Sequence, residues 1–193
     1  SIISRESLAY NGLAFLYSIS AYSFGLYGLF NSSITVNVVS IFLLSHGMII
    51  SAYLVHECAH NLVFRKMQHN TYLGRLLTWL CGASYGTYED IRYKHFRHHV
   101  DNDDVVWFDY EGFFRKHPLV LKITQFLEWF YIPVHELIMH TIMAFTSFII
   151  DERRNQRRRN VIVLLLRGAL FFLVCIYFPY VAFMYVISYL IMI

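Results

Sequence analysis

The chain has 193 residues, 57% hydrophobic, 18% aromatic and only 15% charged, which places it well to the apolar side of soluble globular usage. Its net charge of +3 comes with no basic patch on a polar domain, which argues against nucleic acid as a partner. Cys58, Cys81 and Cys175 lie in apolar surroundings without paired spacing, which argues against a disulfide framework or a thiolate zinc site and leaves them as packing residues.

In chain order, residues 7–30 read as a first membrane-spanning helix and residues 34 onward as a second, each holding an uncharged run of roughly the 20 residues that crossing a bilayer requires. The first run exceeds a signal-peptide core and lacks a basic start and a small-residue cleavage site. Asn31, Ser32 and Ser33 form the polar turn between the two helices, and His56 and His60 follow at the exit of the second. Residues 61–160 are mixed, and only 130–150 approaches spanning length. If that stretch crossed once, the basic segment 151–160 would lie opposite the other basic segments, against the tendency of Lys and Arg to stay cytoplasmic. An interfacial or half-buried helix is therefore expected there. Residues 161–193 hold one charge, Arg167, and one proline, Pro179, and read as a helical hairpin bending near residues 177–180. The predicted fold class is an all-α integral membrane protein with about four transmembrane helices in two hairpins, and cytoplasmic interfacial helices carrying the histidines. No internal repeat appears, so residues 1–193 are expected to form a single membrane domain. The chain starts without methionine and stops inside an apolar run, so truncation is expected at the C-terminus and at the N-terminus as well.

His56-Glu57-Cys58-Ala59-His60 fits the pattern in which two histidines one helical turn apart hold zinc and the glutamate acts as general base. Some forty residues later come His95, His98 and His99. On a helix, positions i, i+3 and i+4 fall within about 100° of one another, and Asn102 at i+7 returns between them. Five imidazoles can thus converge where the second spanning helix meets the membrane surface. Five exceed the needs of one tetrahedral zinc, whereas imidazole also suits iron and such a number suggests two metals or a higher coordination number. Glu57, Asp101, Asn102, Asp103 and Asp104 are placed to orient the imidazoles from behind. His135 and His140, five residues apart, are assigned to the same supporting role or to the interface. His46, mid-span, is expected to make a structural hydrogen bond, and His69 and His117 to be solvated. The arginines from 153 to 159 read as an orientation signal and an anchor for anionic headgroups.

The H-x3-H of His56 and His60, followed by the H-x2-H-H of His95, His98 and His99 in a multi-span chain, resembles the membrane fatty acid desaturase and hydroxylase superfamily. The resemblance covers most of the chain from the second helix onward. It implies that His56, His60, His95, His98 and His99 are ligands of two iron ions on the cytoplasmic side. It also implies that dioxygen is the co-substrate and that hydrogen is removed from an unactivated methylene of a fatty acyl lipid. Electrons would come from a ferredoxin or a cytochrome b5 type donor. The superfamily carries a third H-x2-H-H box after its last helical hairpin. None occurs here, so residues 1–193 alone are expected to be inactive. Desaturation is the first reading and the related lipid or alkane hydroxylation the alternative, since both share the same metal boxes. An intramembrane zinc protease using His56, Glu57 and His60 is a further reading that leaves His95, His98 and His99 unexplained. Bis-histidine haem ligation needs two opposed histidines deep in the bilayer, where only His46 lies.

Overall fold

In a computed structural model, residues 5–82, 86–101 and 106–193 are described. They form nine α-helices and contain no strand: α1 (Arg5–Gly28), α2 (Ile34–Ala59), α3 (Met67–Leu80), α4 (Tyr88–Asp101), α5 (Tyr110–Lys116), α6 (Pro118–Glu128), α7 (Val134–Ile149), α8 (Arg157–Tyr177) and α9 (Pro179–Met192). A 3-10 turn, Asp151–Gln156, leads into α8.

The first two helices fold back on each other through a short turn in which the Ser33 amide donates to the Asn31 side chain. Their contact is close because small residues face each other. A Cβ on Gly25 would fall 2.6 Å from the backbone of Leu44, and one on Gly47 would fall 2.7 Å from the amide of Tyr22. Buried Ser18 bonds the Ser51 hydroxyl at 2.6 Å and the Gly47 carbonyl at 3.0 Å. Small residues and hydroxyl bonds of this kind hold helices together where water is absent and burial of apolar surface gives no advantage. His46 makes the structural hydrogen bond expected of it, 2.6 Å from the Tyr17 hydroxyl.

The bend expected near residues 177–180 lies at Phe178, between α8 and α9. Pro179 has no amide to continue the ladder and instead opens α9 at its first position. Phe178 meets Phe30 with ring centroids 5.1 Å apart, so both hairpin turns lie at one end. From there α9 runs alongside α2, where the Ser45 hydroxyl donates to the Ser188 carbonyl at 2.9 Å, and Leu29, Leu44, Met48 and Val181 form a shared core. A second core joins the far half of α2 to α3 and the start of α4 through Leu54, Cys58, Leu73, Leu77 and Tyr88. Cys58 and Cys81 are buried and Cys175 is half-buried, and none of the three is in a disulfide.

Two segments among the described residues are long and apolar enough to cross a membrane, Ile34–Ala59 and Asp151–Tyr177. The second presents a continuous apolar surface outward, with Ile162, Leu165, Leu166, Leu170 and Phe172 all exposed. α7, with 16 residues, stops short of spanning length, as does α9 with 14.

Candidate metal centre

α2 ends where its histidines are needed. Asn61 takes a left-handed φ of 58°, its amide donates to the Cys58 carbonyl and the next amide, that of Leu62, reaches back to Glu57. This paired closure of the last carbonyls terminates a helix, and asparagine is among the few residues that tolerate the conformation. It leaves His56 in the last turn and His60 at the cap. The Asn61 signal was readable from sequence and marks the end of the helix that the histidines occupy.

Thr87 precedes α4 and caps it, its hydroxyl accepting from the Asp90 amide at 3.1 Å, with Glu89 and Asp90 in the first turn where the helix dipole favours acids. Arg75 of α3 bonds Glu89 at 2.7 Å, and the Tyr88 ring fills the place that a side chain on Gly74 would take. One turn further along, α4 is tied to the end of α2 by the Arg92 Nε donating to the Ala59 carbonyl at 3.0 Å, with the guanidinium over the Phe96 ring at 5.4 Å.

These supports bring four imidazoles to one point. Ligand atoms of His56, His60, His95 and His99 all lie within 4.8 Å of one another. His95 Nε2 is 2.8 Å from His60 Nε2 and 3.1 Å from His99 Nε2. His56 and His60, like His95 and His99, are four residues apart, and so about 40° apart around the helix that carries them. His98 is outside the group. It stands about 100° from His99 around α4, with its ring centroid 5.9 Å from that of His99.

The donor set fits a metal ion. Metal–nitrogen bonds near 2.1 Å place adjacent ligand atoms about 3 Å apart and opposed ones about 4.2 Å apart, close to the spacings found. Protonation is disfavoured as well. Burial, followed by the neighbouring histidines, lowers the His95 pKa to about 4, and the same causes lower that of His60. Neutral imidazoles with free lone pairs are what a metal requires. Glu57, one of the expected supporting residues, has its carboxylate 3.1 Å from His56 Nδ1. A proton on Nδ1 donated to Glu57 leaves Nε2 of His56 for a metal.

Neither His135 nor His140 belongs to the converging group. His135 packs against Tyr110 and Phe114, with its backbone amide donating to Glu128 at 3.0 Å, and His140 Nδ1 lies 2.7 Å from the Tyr189 hydroxyl on α9. Asn102, Asp103, Asp104 and the side chain of Asp101 lie outside the described residues. His69 and His117 are exposed.

A cavity of about 220 Å³ opens between α2, α4 and α7, lined by Ala52, Val55, Ile91, Lys94, Trp107 and Met143 among others. Val55 adjoins His56 and Lys94 adjoins His95, so the cavity wall continues the two ligand-bearing helices.

A family model described as fatty acid desaturase matches residues 32–193, from the start of α2 through both histidine motifs to the last helix. The chain belongs to the fatty acid desaturase family. Membership makes it an oxidoreductase of a membrane-associated, typically iron-dependent family acting on fatty acyl lipids, and the four-histidine cluster is a place where this desaturase can bind metal. Comparison with curated proteins and with solved structures gives no match.

Proposed function

We propose that this chain is the membrane-bound core of a dioxygen-dependent fatty acyl desaturase with a histidine-ligated di-iron centre. The observation that carries the reading is the convergence of His56, His60, His95 and His99 from two helices onto one point, inside the segment matched by the desaturase family. These four would hold one iron, and His98, one position before His99 on α4, would serve a second. Bound there, iron supplies the activation of dioxygen that removal of hydrogen from an unactivated methylene requires. The histidines keep their lone pairs available, Glu57 fixes the ring of His56 through Nδ1, and the apolar side chains of Ala52, Val55 and Met143 offer an alkyl chain a place near the ligand-bearing helices.

The Glu57 contact also weighs against zinc proteolysis, in which that carboxylate must face a metal-bound water; here it is turned onto a ligand ring. A cytoplasmic site is supported by the arginine segment at the same end of the helices, held against α4. Four spans follow if α1 and α9 cross beside the two plainly apolar segments. Electrons would come from a ferredoxin or a cytochrome b5 type donor.

The test is lipid analysis. Cells producing the full-length protein should accumulate acyl chains with one added double bond, residues 1–193 alone should give none, and His60→Ala and His95→Ala in the full-length protein should abolish the product at equal expression. A hydroxylated product instead would move the assignment to the hydroxylases, and a product undiminished in both variants would remove the histidines from the reaction.

A further inference from the structure

We infer that the buried ion pair between Asp90 and Arg153 is a positioning device that sets how α4 presents His95 and His99 to the metal centre. The inference rests on the metal-centre reading above and assigns to the arginine segment a task other than holding lipid headgroups.

Of the five arginines between residues 153 and 159, three are committed inward. Arg157 Nε donates to the Ser147 carbonyl at 2.7 Å, Arg159 donates to the Gly86 carbonyl at 3.1 Å, and Arg153 is 1% exposed. Arg153 Nη2 sits 2.7 Å from the Asp90 carboxylate, which is itself 10% exposed, and 3.2 Å from Gln156 Oε1; its Nη1 donates to the Thr146 hydroxyl. A guanidinium taken this far from water is tolerated only with its charge matched, and the Asp90 carboxylate matches it. Burial pushes the Asp90 carboxyl up, and Arg153 is foremost among the groups that oppose this and favour the carboxylate.

The pair acts on the histidines through helix geometry. At about 100° per residue Asp90 and Arg92 stand on opposite sides of α4, so the helix is gripped from both: by the Ala59 carbonyl through Arg92, and by the 3-10 turn through Asp90. The second grip extends to the turn before His95. Trp107 lies under the Arg153 guanidinium at 5.9 Å, carries Lys94 over its ring at 4.9 Å and stacks on Tyr93 at 6.0 Å. Releasing one grip lets α4 roll about its axis, and a roll moves His95 and His99 relative to His56 and His60. Metal sites tolerate little of this, because ligand atoms must stay within tenths of an ångström of their places.

The test uses the full-length protein in detergent, stripped of metal and titrated with cobalt(II), whose visible absorption reports ligand geometry. Asp90→Asn and Arg153→Gln should each weaken cobalt binding about tenfold and shift its absorption bands, and Arg153→Lys should recover much of the loss. Arg158→Gln, an exposed arginine of the same segment, should match wild type. Hydrogen exchange of the metal-free proteins supplies the arm that needs no metal: amides of α4 should exchange faster in Asp90→Asn while those of α1 and α2 keep their protection. Unchanged α4 exchange together with unchanged cobalt spectra would overturn the inference. Faster α4 exchange with no cobalt bound by wild type would uphold the positioning role and remove the metal-centre reading instead. If Asp90→Asn fails to fold, the Arg153→Lys and Arg153→Gln pair decides, since lysine restores the charge and glutamine does not.

Discussion

His95 is the most crowded of the clustered imidazoles, with Nε2 2.8 Å from His60 and 3.1 Å from His99. That crowding has a measurable cost in acid. In the unfolded chain a histidine takes up its proton near pH 6.5, whereas the folded, metal-free site delays uptake at His95 to about pH 4. The unfolded state therefore binds more protons in that window, and stability falls as pH drops through it and levels off below. Thermal unfolding of the metal-free protein between pH 7 and 4 should show this decline, with a shallower slope in His95→Asn; equal slopes would mean that the cluster bears no such cost. The sequence pointed to five converging imidazoles, His56 and His60 at i, i+4 and His95, His98 and His99 at i, i+3 and i+4, of which four meet at one point. What the sequence does not carry is which flank of α4 turns toward α2, and hence that His99 enters the group while His98 stays out. That choice is made by Arg92 on the Ala59 carbonyl and Asp90 on Arg153, contacts across 33 and 63 positions of chain that no local pattern encodes.

Among the elements, the α1–α2 hairpin bears most directly on the site, because α2 carries His56 and His60 at its end. The packing of this hairpin depends on close backbone approach at Gly25 and Gly47. Gly47→Leu would force its side chain into the Tyr22 amide and the Ser18 carbonyl, and overpacking of this kind costs about 1–3 kcal/mol. The variant should unfold at lower temperature in detergent and lose metal with it, while Gly168→Leu, at a glycine with open space around it, should behave as wild type. An unaltered Gly47→Leu protein would show that the two helices do not pack this closely. Helix lengths and the break at Pro179 followed from apolar runs and from proline chemistry. The arginine segment did not: its composition matches a headgroup anchor, yet Arg153, Arg157 and Arg159 turn inward to Asp90 and to backbone carbonyls at Ser147, Phe148 and Gly86. A run of positive charge looks the same in sequence whether its partner is lipid phosphate or a helix end elsewhere in the chain.

At the scale of the molecule, both hairpin turns lie at one end, while the histidines, the start of α4 and the arginine turn lie at the other. In a bilayer this arrangement places Ser32 and Arg158 on opposite sides. Single cysteines introduced as Ser32→Cys and Arg158→Cys into a variant lacking the native thiols should react with an impermeant reagent from opposite faces of sealed vesicles, Arg158→Cys from the cytoplasmic face. Labelling of both from one face would refute the membrane arrangement. The same arrangement brings together residues separated by some forty positions, because the end of α2 and the later turns of α4 meet at one end of the helices.

The most direct measurement is the metal content of the purified full-length protein, by elemental mass spectrometry, beside that of His60→Ala and His95→Ala. The account predicts iron in the wild type, zinc well below it, and loss of iron in both variants at unchanged folding, since removing a ligand costs more than the roughly 10–100-fold in affinity lost with a residue that merely supports one. Zinc in place of iron, or iron that survives both substitutions, would contradict it.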